Sequence, residues 1–214
     1  MTEDIRGLFV ETARGVIGLV EQGPVAASWS EPSSLPEYSV GGLAAHLCRA
    51  IVTVDGYLTE GAAAPGAGSP ISPAEYFLSA LGDHDPIDSD HHHGIRQRSA
   101  DMAASGQGDV IDAARDAVGR LAVSLPVTAS PFVVSVFGGL EMDLDDYLRT
   151  RLVELCVHSD DLLVAVEGVS VELSNAAWAV TRRVLVDLAA IKLGERRLAL
   201  SLSRRERTER PLAL

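Results

Sequence analysis

Hydrophobic positions recur at three- and four-residue intervals along most of the chain, the mark of helices with one buried face. Ile5, Leu8, Phe9, Ala13, Val16, Leu19 and Val20 trace the first stripe, across residues 1–22. Residues 23–38, GPVAASWSEPSSLPEY, carry no period and are rich in Pro and Ser, which predicts a connection. Ser39 then stands where an N-cap belongs, ahead of a helix to Thr59 whose stripe is Leu43, Leu47, Ala50 and Val54. A flexible loop, GAAAPGAGSP (61–70), follows. SPAE (72–75) gives the next start signal: Ser72 as cap, Pro73 at the first helical position and Glu75 closing a capping box, for a short helix ending near Gly82.

DHDPIDSDHHHG (83–94) reads as an acidic loop, and helical residues resume from Ile95 to Leu125 with a break around Gly106 and Gly108. PFVVSVFGG (131–139) is the one strand-like run, compatible with a buried loop or a single hairpin. Asp143 caps another long helix, with Asp145 and Asp146 in the first turn, where the helix macrodipole favours acids. That helix is expected to reach Glu167 and stop at Gly168; the last one opens at Ser174 and is closed by Gly194. Nothing repeats at a fixed period and no linker separates two cores. The expectation is one all-α bundle over residues 1–194, with 195–214 as an extension that packs on it or frays from it.

Composition narrows the function. The 214 residues, 47% of them hydrophobic, suffice for one large core. A formal net charge of −12 argues against a nucleic-acid binder and against docking on an anionic membrane. No apolar run reaches the roughly 18 residues a membrane span needs. MTEDIRGLFVETARG lacks the basic start and cleavage site of a secretory signal. Cys48 and Cys156 stand far apart and outside any CxxC pattern, so a reducing cytoplasm is the expected compartment. The basic residues are almost all Arg, with Lys192 the sole lysine, a bias typical of GC-rich bacterial coding.

The helix after Asp143 poses the chemical question. Leu144, Leu148, Leu155 and Leu162 form one stripe and Val153, Val157 and Val164 lie nearly opposite, so it is expected to be buried on most sides. Beside the Leu stripe runs a row of Tyr147, Arg151, Glu154, His158 and Asp161. Left unpaired in an interior, such groups cost on the order of 2–7 kcal/mol each. Glu154 and His158, at i and i+4, share a face at the spacing of helix-borne metal ligands, although the pair alone fits a hydrogen-bonded core pair as well. His46, on the flank of an apolar stripe in GGLAAHLCRA, is the best candidate for a third ligand. Two imidazoles and a carboxylate suit Zn²⁺ with a coordination position open, and a mixed N/O set also accepts iron, nickel or manganese.

Other residues rank below these. Arg151 and Asp161, one turn to either side, are expected to orient the ligands; Asp161 is also the carboxylate that could serve as base if the metal activated water for hydrolysis. Arg96 and Arg98 are candidates to receive an anionic substrate, and Tyr57, on the face of His46 and Ala50, to reach the same cavity. His91, His92 and His93 are read as part of a solvated loop, as is His84; on a helix, consecutive side chains point about 100° apart and cannot converge on one ion. Cys48 and Cys156 are expected as small buried hydrophobes facing away from the site, and Trp29 and Trp178 as core residues. A metal-binding module without catalysis remains a further reading.

WSEPSSLPEYSVGGLAAHL (29–47) followed by YLRTRLVELCVHSDDL (147–162) resembles the mycothiol-dependent maleylpyruvate isomerase N-terminal family, part of the wider DinB-like group of thiol-dependent metalloenzymes. The shared pattern is a Trp, a Ser-Pro-rich turn, an aromatic-Ser-Val entry into a His-bearing helix, and a later Arg-x-x-Glu-x-x-x-His-x-x-Asp helix; Tyr38 takes the aromatic position, often Trp in the family. GERRLALSLSRRERTE resembles the family's continuation. The resemblance implies a DinB-like four-helix bundle whose divalent metal, zinc above others, sits on His46, Glu154 and His158. It also implies mycothiol or a related thiol as cosubstrate, a small-molecule electrophile as partner, and a monomer or homodimer. Family isomerases carry a second, smaller domain after the bundle, and about twenty residues follow the last long helix here, too few for one. The expectation therefore moves from isomerisation toward thiol transfer.

Overall fold

The computed structural model describes residues 4–62, 69–81 and 90–204. Among them are nine α-helices: α1 (Ile5–Val20), α2 (Gly23–Ala27), α3 (Val40–Glu60), α4 (Pro73–Leu81), α5 (Asp90–Ala103), α6 (Gln107–Ser124), α7 (Leu144–Ala165), α8 (Asn175–Leu193) and α9 (Glu195–Ser203). A two-stranded hairpin, β1 (Val133–Ser135) and β2 (Glu141–Asp143), precedes α7. The fold is all-α, as expected of a DinB-like chain. The run at 131–139 resolves as the hairpin, with Val134 opposite Met142.

Four helices make the bundle. α3 packs against α6 and α7, and α1 packs against the same two, so α1 and α3 lie on one diagonal and α6 and α7 on the other. Their facing stripes form one core in which Phe9, Leu43, Leu47, Leu121, Leu148 and Leu155 are fully buried. α5 lies along α3, while α4 and α8 cover the far side of α7 and α9 packs on α8. There Ala74, Phe77, Val153, Val184, Leu188 and Leu198 close a second, smaller core.

The caps read from sequence are made as the side chains allow. The Ser39 hydroxyl accepts from the Gly42 N–H at 3.0 Å, and the Asp143 carboxylate from the Asp145 N–H at 2.9 Å. At the start of α4, Glu75 accepts from the Ser72 N–H at 2.8 Å, and Ser72 Oγ accepts in turn from the Glu75 N–H at 3.3 Å. Gly106, at φ +91°, opens α6 and separates it from α5.

Several expectations change. The connection at 23–38 contains α2, whose first turn holds Pro24, where a missing N–H costs nothing. α5 begins at Asp90 rather than Ile95, so His91–His93 lie on a helix, where His93 Nδ1 accepts from Arg96 at 2.9 Å one turn on. His84, and most of the expected loop at 61–70, lie outside the described residues. α7 ends at Ala165, two residues before Glu167, and Val164 is 73% exposed because it points away from the buried side that holds Leu162 and Val166. Trp178 is 40% exposed on α8 rather than in the core. Trp29 is partly buried: its indole N–H donates to the Ala103 carbonyl at 3.1 Å, and its ring lies where a Cβ on residue 41 would fall 2.5 Å away. Glycine at position 41 lets that ring press on α3 and hold α3 against α5. No helix among the described residues is long and apolar enough to cross a membrane.

Candidate metal centre

The α3–α7 seam brings His46 to the polar row of α7. His46 Nε2 is 3.1 Å from Glu154 Oε2, and His158 Nε2 is 3.4 Å from the same oxygen. The two rings stand edge to face, 4.9 Å between centroids. One donor atom from each residue lies within 4.8 Å of the others, so 108 residues of chain separate two ligands that the fold makes neighbours. Donors about 2.05 Å from a tetrahedral zinc stand about 3.3 Å apart. The two separations at Glu154 fit that spacing, and two imidazole nitrogens with one carboxylate oxygen form a donor set zinc accepts.

What backs each imidazole differs. His158 Nδ1 lies 2.8 Å from Asp161 Oδ2, a carboxylate that accepts a hydrogen bond from Nδ1–H and aims Nε2 inward. His46 Nδ1 lies 3.5 Å from the Ser99 hydroxyl of α5. Ser99 also bonds the Ile95 carbonyl at 3.0 Å; a lone pair turned toward His46 would suit the metal-bound tautomer, with the ring proton on Nδ1, whereas in the metal-free centre the neutral ring donates from Nε2 to Glu154.

Arg151 closes the deep end. Its guanidinium lies over the Tyr147 ring at 4.8 Å and the Tyr76 ring at 5.4 Å, donates to the Tyr76 hydroxyl at 3.0 Å, and stands 4.0 Å from Glu154. The hairpin contributes here, since Phe137 packs edge-on to Tyr76 at 5.2 Å. Along the row exposure rises from 2% at Tyr147 to side-chain values of 17% at Glu154 and 26% at Asp161. The cluster is therefore reached from the Asp161 end.

Charge follows these partners. Burial disfavours ionised Glu154, but hydrogen bonds from His158 and His46 and the Arg151 charge outweigh it, holding the carboxyl well below its ordinary range. Burial lowers the His46 pKa more than Glu154 raises it. For His158, burial is overcome by the bonds to Asp161 and Glu154, which lift it to about 9. Burial works against charged Arg151 too, yet the surrounding tyrosines and Glu154 raise its pKa, so it stays a cation.

The remaining expectations fall as follows. Asp161 lies 2.8 Å from His158 and Arg151 stands 4.0 Å from Glu154. Tyr57 does not reach the donors: eleven residues beyond His46, about 16 Å along a helix, it stacks edge-on to Tyr147 at 5.1 Å. Arg98 is exposed on α5, and Arg96 pairs with Glu37 at 2.8 Å. Cys48 and Cys156 are fully buried, and desolvation pushes the Cys48 thiol up to about 12. A groove of about 600 Å³ between α4, α7, α8 and α9, lined by Asp146, Arg149 and Asp187, contains none of the three donors. Sequence reasoning missed Ser99, Tyr76 and Arg49. Only Arg49 carried a signal, one helical turn from His46 on the same face.

Comparison with known proteins agrees with the geometry. The family model for the mycothiol maleylpyruvate isomerase N-terminal domain matches residues 12–163, well over half of the chain and inclusive of all three donors. No curated protein and no solved structure matches.

Proposed function

The chain belongs to the mycothiol maleylpyruvate isomerase N-terminal domain family, and from that premise we propose a metal-dependent enzyme that readies a low-molecular-weight thiol for attack on an electrophilic carbon. The carrying observation is the meeting of His46, Glu154 and His158 in a mostly buried seam open at one end. A divalent cation held there, zinc above others, would favour the thiolate form of a thiol at neutral pH.

The chain's own residues supply the rest. Asp161 fixes the His158 tautomer, Arg151 keeps Glu154 ionised, and the Tyr147–Tyr76 wall excludes water from the deep side. Mycothiol or a related thiol is the proposed cosubstrate, and S-transfer to a small electrophile, or cis–trans isomerisation by addition and expulsion of sulfur, the reaction type. The same three ligands serve both outcomes. The engagement of Asp161 with His158 favours thiol chemistry over a water-activating hydrolase, which would need a carboxylate free to take a proton.

Metal analysis of the purified protein and of His158→Ala, followed by incubation with mycothiol and monochlorobimane, tests this. About one divalent ion per chain, lost in the variant, with a metal-dependent thiol adduct, is expected. Metal content unchanged by His158→Ala would remove the site; no metal-dependent adduct with any thiol would remove the reaction.

A further inference from the structure

Arg49 lies one turn from His46 on α3, half-buried where α5 packs, and its guanidinium's only hydrogen-bond partner among the described residues is the Ser99 hydroxyl at 3.4 Å. That same hydroxyl is 3.5 Å from His46 Nδ1, so one side chain separates the guanidinium from a donor of the metal centre. Other arginines with ion pairs in the structure have carboxylates: Arg6 on Asp145, Arg96 on Glu37, Arg120 on Asp55, Arg149 on Asp146. Arg49 has no carboxylate partner among the described residues, in a chain whose acids exceed its bases by 12.

The neighbours sharpen the contrast. The α5 residue beside Ser99 is Arg98, exposed and also without a carboxylate partner among the described residues. Burial and the Arg98 charge both press the Arg49 pKa down, so the two cations repel one another. A guanidinium has five N–H donors, and one long bond to a hydroxyl leaves the others open to solvent or to a ligand. A carboxylate would satisfy them in the fork geometry that arginine favours and would relieve the repulsion.

We propose that Arg49, with Arg98 at its outer edge, is a carboxylate-binding subsite beside the metal centre, so that one of the two reactants carries a carboxylate placed on the α3–α5 side. The inference rests on the thiol reading for which reactant it is, though not for the subsite itself. It deepens that reading by giving a substrate class: an anionic thiol or an anionic electrophile, in preference to neutral ones.

The cobalt-loaded protein and its Arg49→Gln and Arg49→Lys variants test this, with absorbance of the bound ion as readout. The probes are 3-mercaptopropionate, its neutral amide, and crotonate, an unsaturated acid without sulfur. If the thiol carries the carboxylate, 3-mercaptopropionate binds at least about tenfold tighter than the amide, Arg49→Gln closes the gap to about twofold, and Arg49→Lys keeps part of it. If the electrophile carries it, the two thiols bind alike and crotonate perturbs the cobalt spectrum of the parent protein but not of Arg49→Gln. Either result supports the subsite. Should neither thiol give a sulfur-to-cobalt band while crotonate still binds through Arg49, the thiol reading fails and the subsite stands. The subsite is overturned by an absence of any Arg49-dependent preference for the carboxylate probes. It is equally overturned if Arg49→Gln weakens cobalt binding more than about tenfold without changing that preference, because Arg49 would then only support Ser99 and His46.

Discussion

Two imidazoles face one carboxylate from opposite walls of the same seam, and they are not equivalent. On the α7 wall His158 is backed by Asp161 at 2.8 Å and carries a proton up to about 9. On the α3–α5 wall His46 is backed by a hydroxyl at 3.5 Å, and burial keeps it neutral. An anion behind an imidazole stabilises its cation; a hydroxyl hardly does. The metal-free centre is thus an ion pair of His158 and Glu154 beside a neutral ligand. A cation entering it has to displace one proton, and that proton comes from the α7 wall.

Removing the shared carboxylate has the largest effect. Glu154→Gln takes away the ligand both walls use and leaves two histidines and Arg151 facing an amide. Metal content measured after dialysis is expected to fall to background. The metal-free variant should also lose on the order of 3 kcal/mol in denaturant unfolding, since a mostly buried charged pair has lost one member. Retained metal in Glu154→Gln would mean the walls do not meet on this residue.

Asp161→Asn separates the walls next. The metal-free parent has His158 raised above its unfolded value of about 6.5, so that contribution to stability is fully present below about 6.5 and lost as pH rises through about 9. Metal binding runs the other way: affinity should rise about tenfold per pH unit until the proton is gone near that pH. In Asp161→Asn the rise should level off at a lower pH, because one of the two carboxylates that raise His158 is gone. At pH 9.5, where the proton no longer competes, the variant should bind metal about 10–100-fold more weakly than the parent, because the ring has lost its orienting carboxylate. Isothermal titration across pH reads both numbers. An unchanged levelling-off pH would show that Asp161 does not set the His158 proton.

The same contrast explains how much of the site is legible in the sequence. The α7 wall was legible because its parts sit on one helix: Arg151, Glu154, His158 and Asp161 are three or four residues apart, and 3.6 residues per turn puts them in a row. His46 was legible as an unexplained polar residue beside an apolar stripe. Its backing was not, because Ser99 comes from α5, a helix of weak amphipathic pattern that begins at Asp90, five residues before the periodicity becomes readable at Ile95. Tyr76 was hidden for a similar reason: it meets Arg151 only because α4 folds back across α7, a contact between residues 75 positions apart. Local spacing reveals what one helix presents, while packing decides what a second helix brings to it. Trp178 shows the converse, a large apolar residue assigned to the core by type that α8 turns outward.

The smallest expected effect is also the cleanest test of the asymmetry. Ser99→Ala removes the lone pair offered to His46 Nδ1 and leaves Arg49 without its hydroxyl partner. The contact is long and neutral, so its loss should cost about 1 kcal/mol or less, a metal affinity lower by about threefold to fivefold at saturating pH. The pH slope should be unchanged, because the displaced proton resides on His158 and not on His46. A loss as large as that of Asp161→Asn, or a shifted slope, would make the two walls equivalent. The inference that backing chemistry decides which imidazole is protonated would then fail, even with all three donors in place.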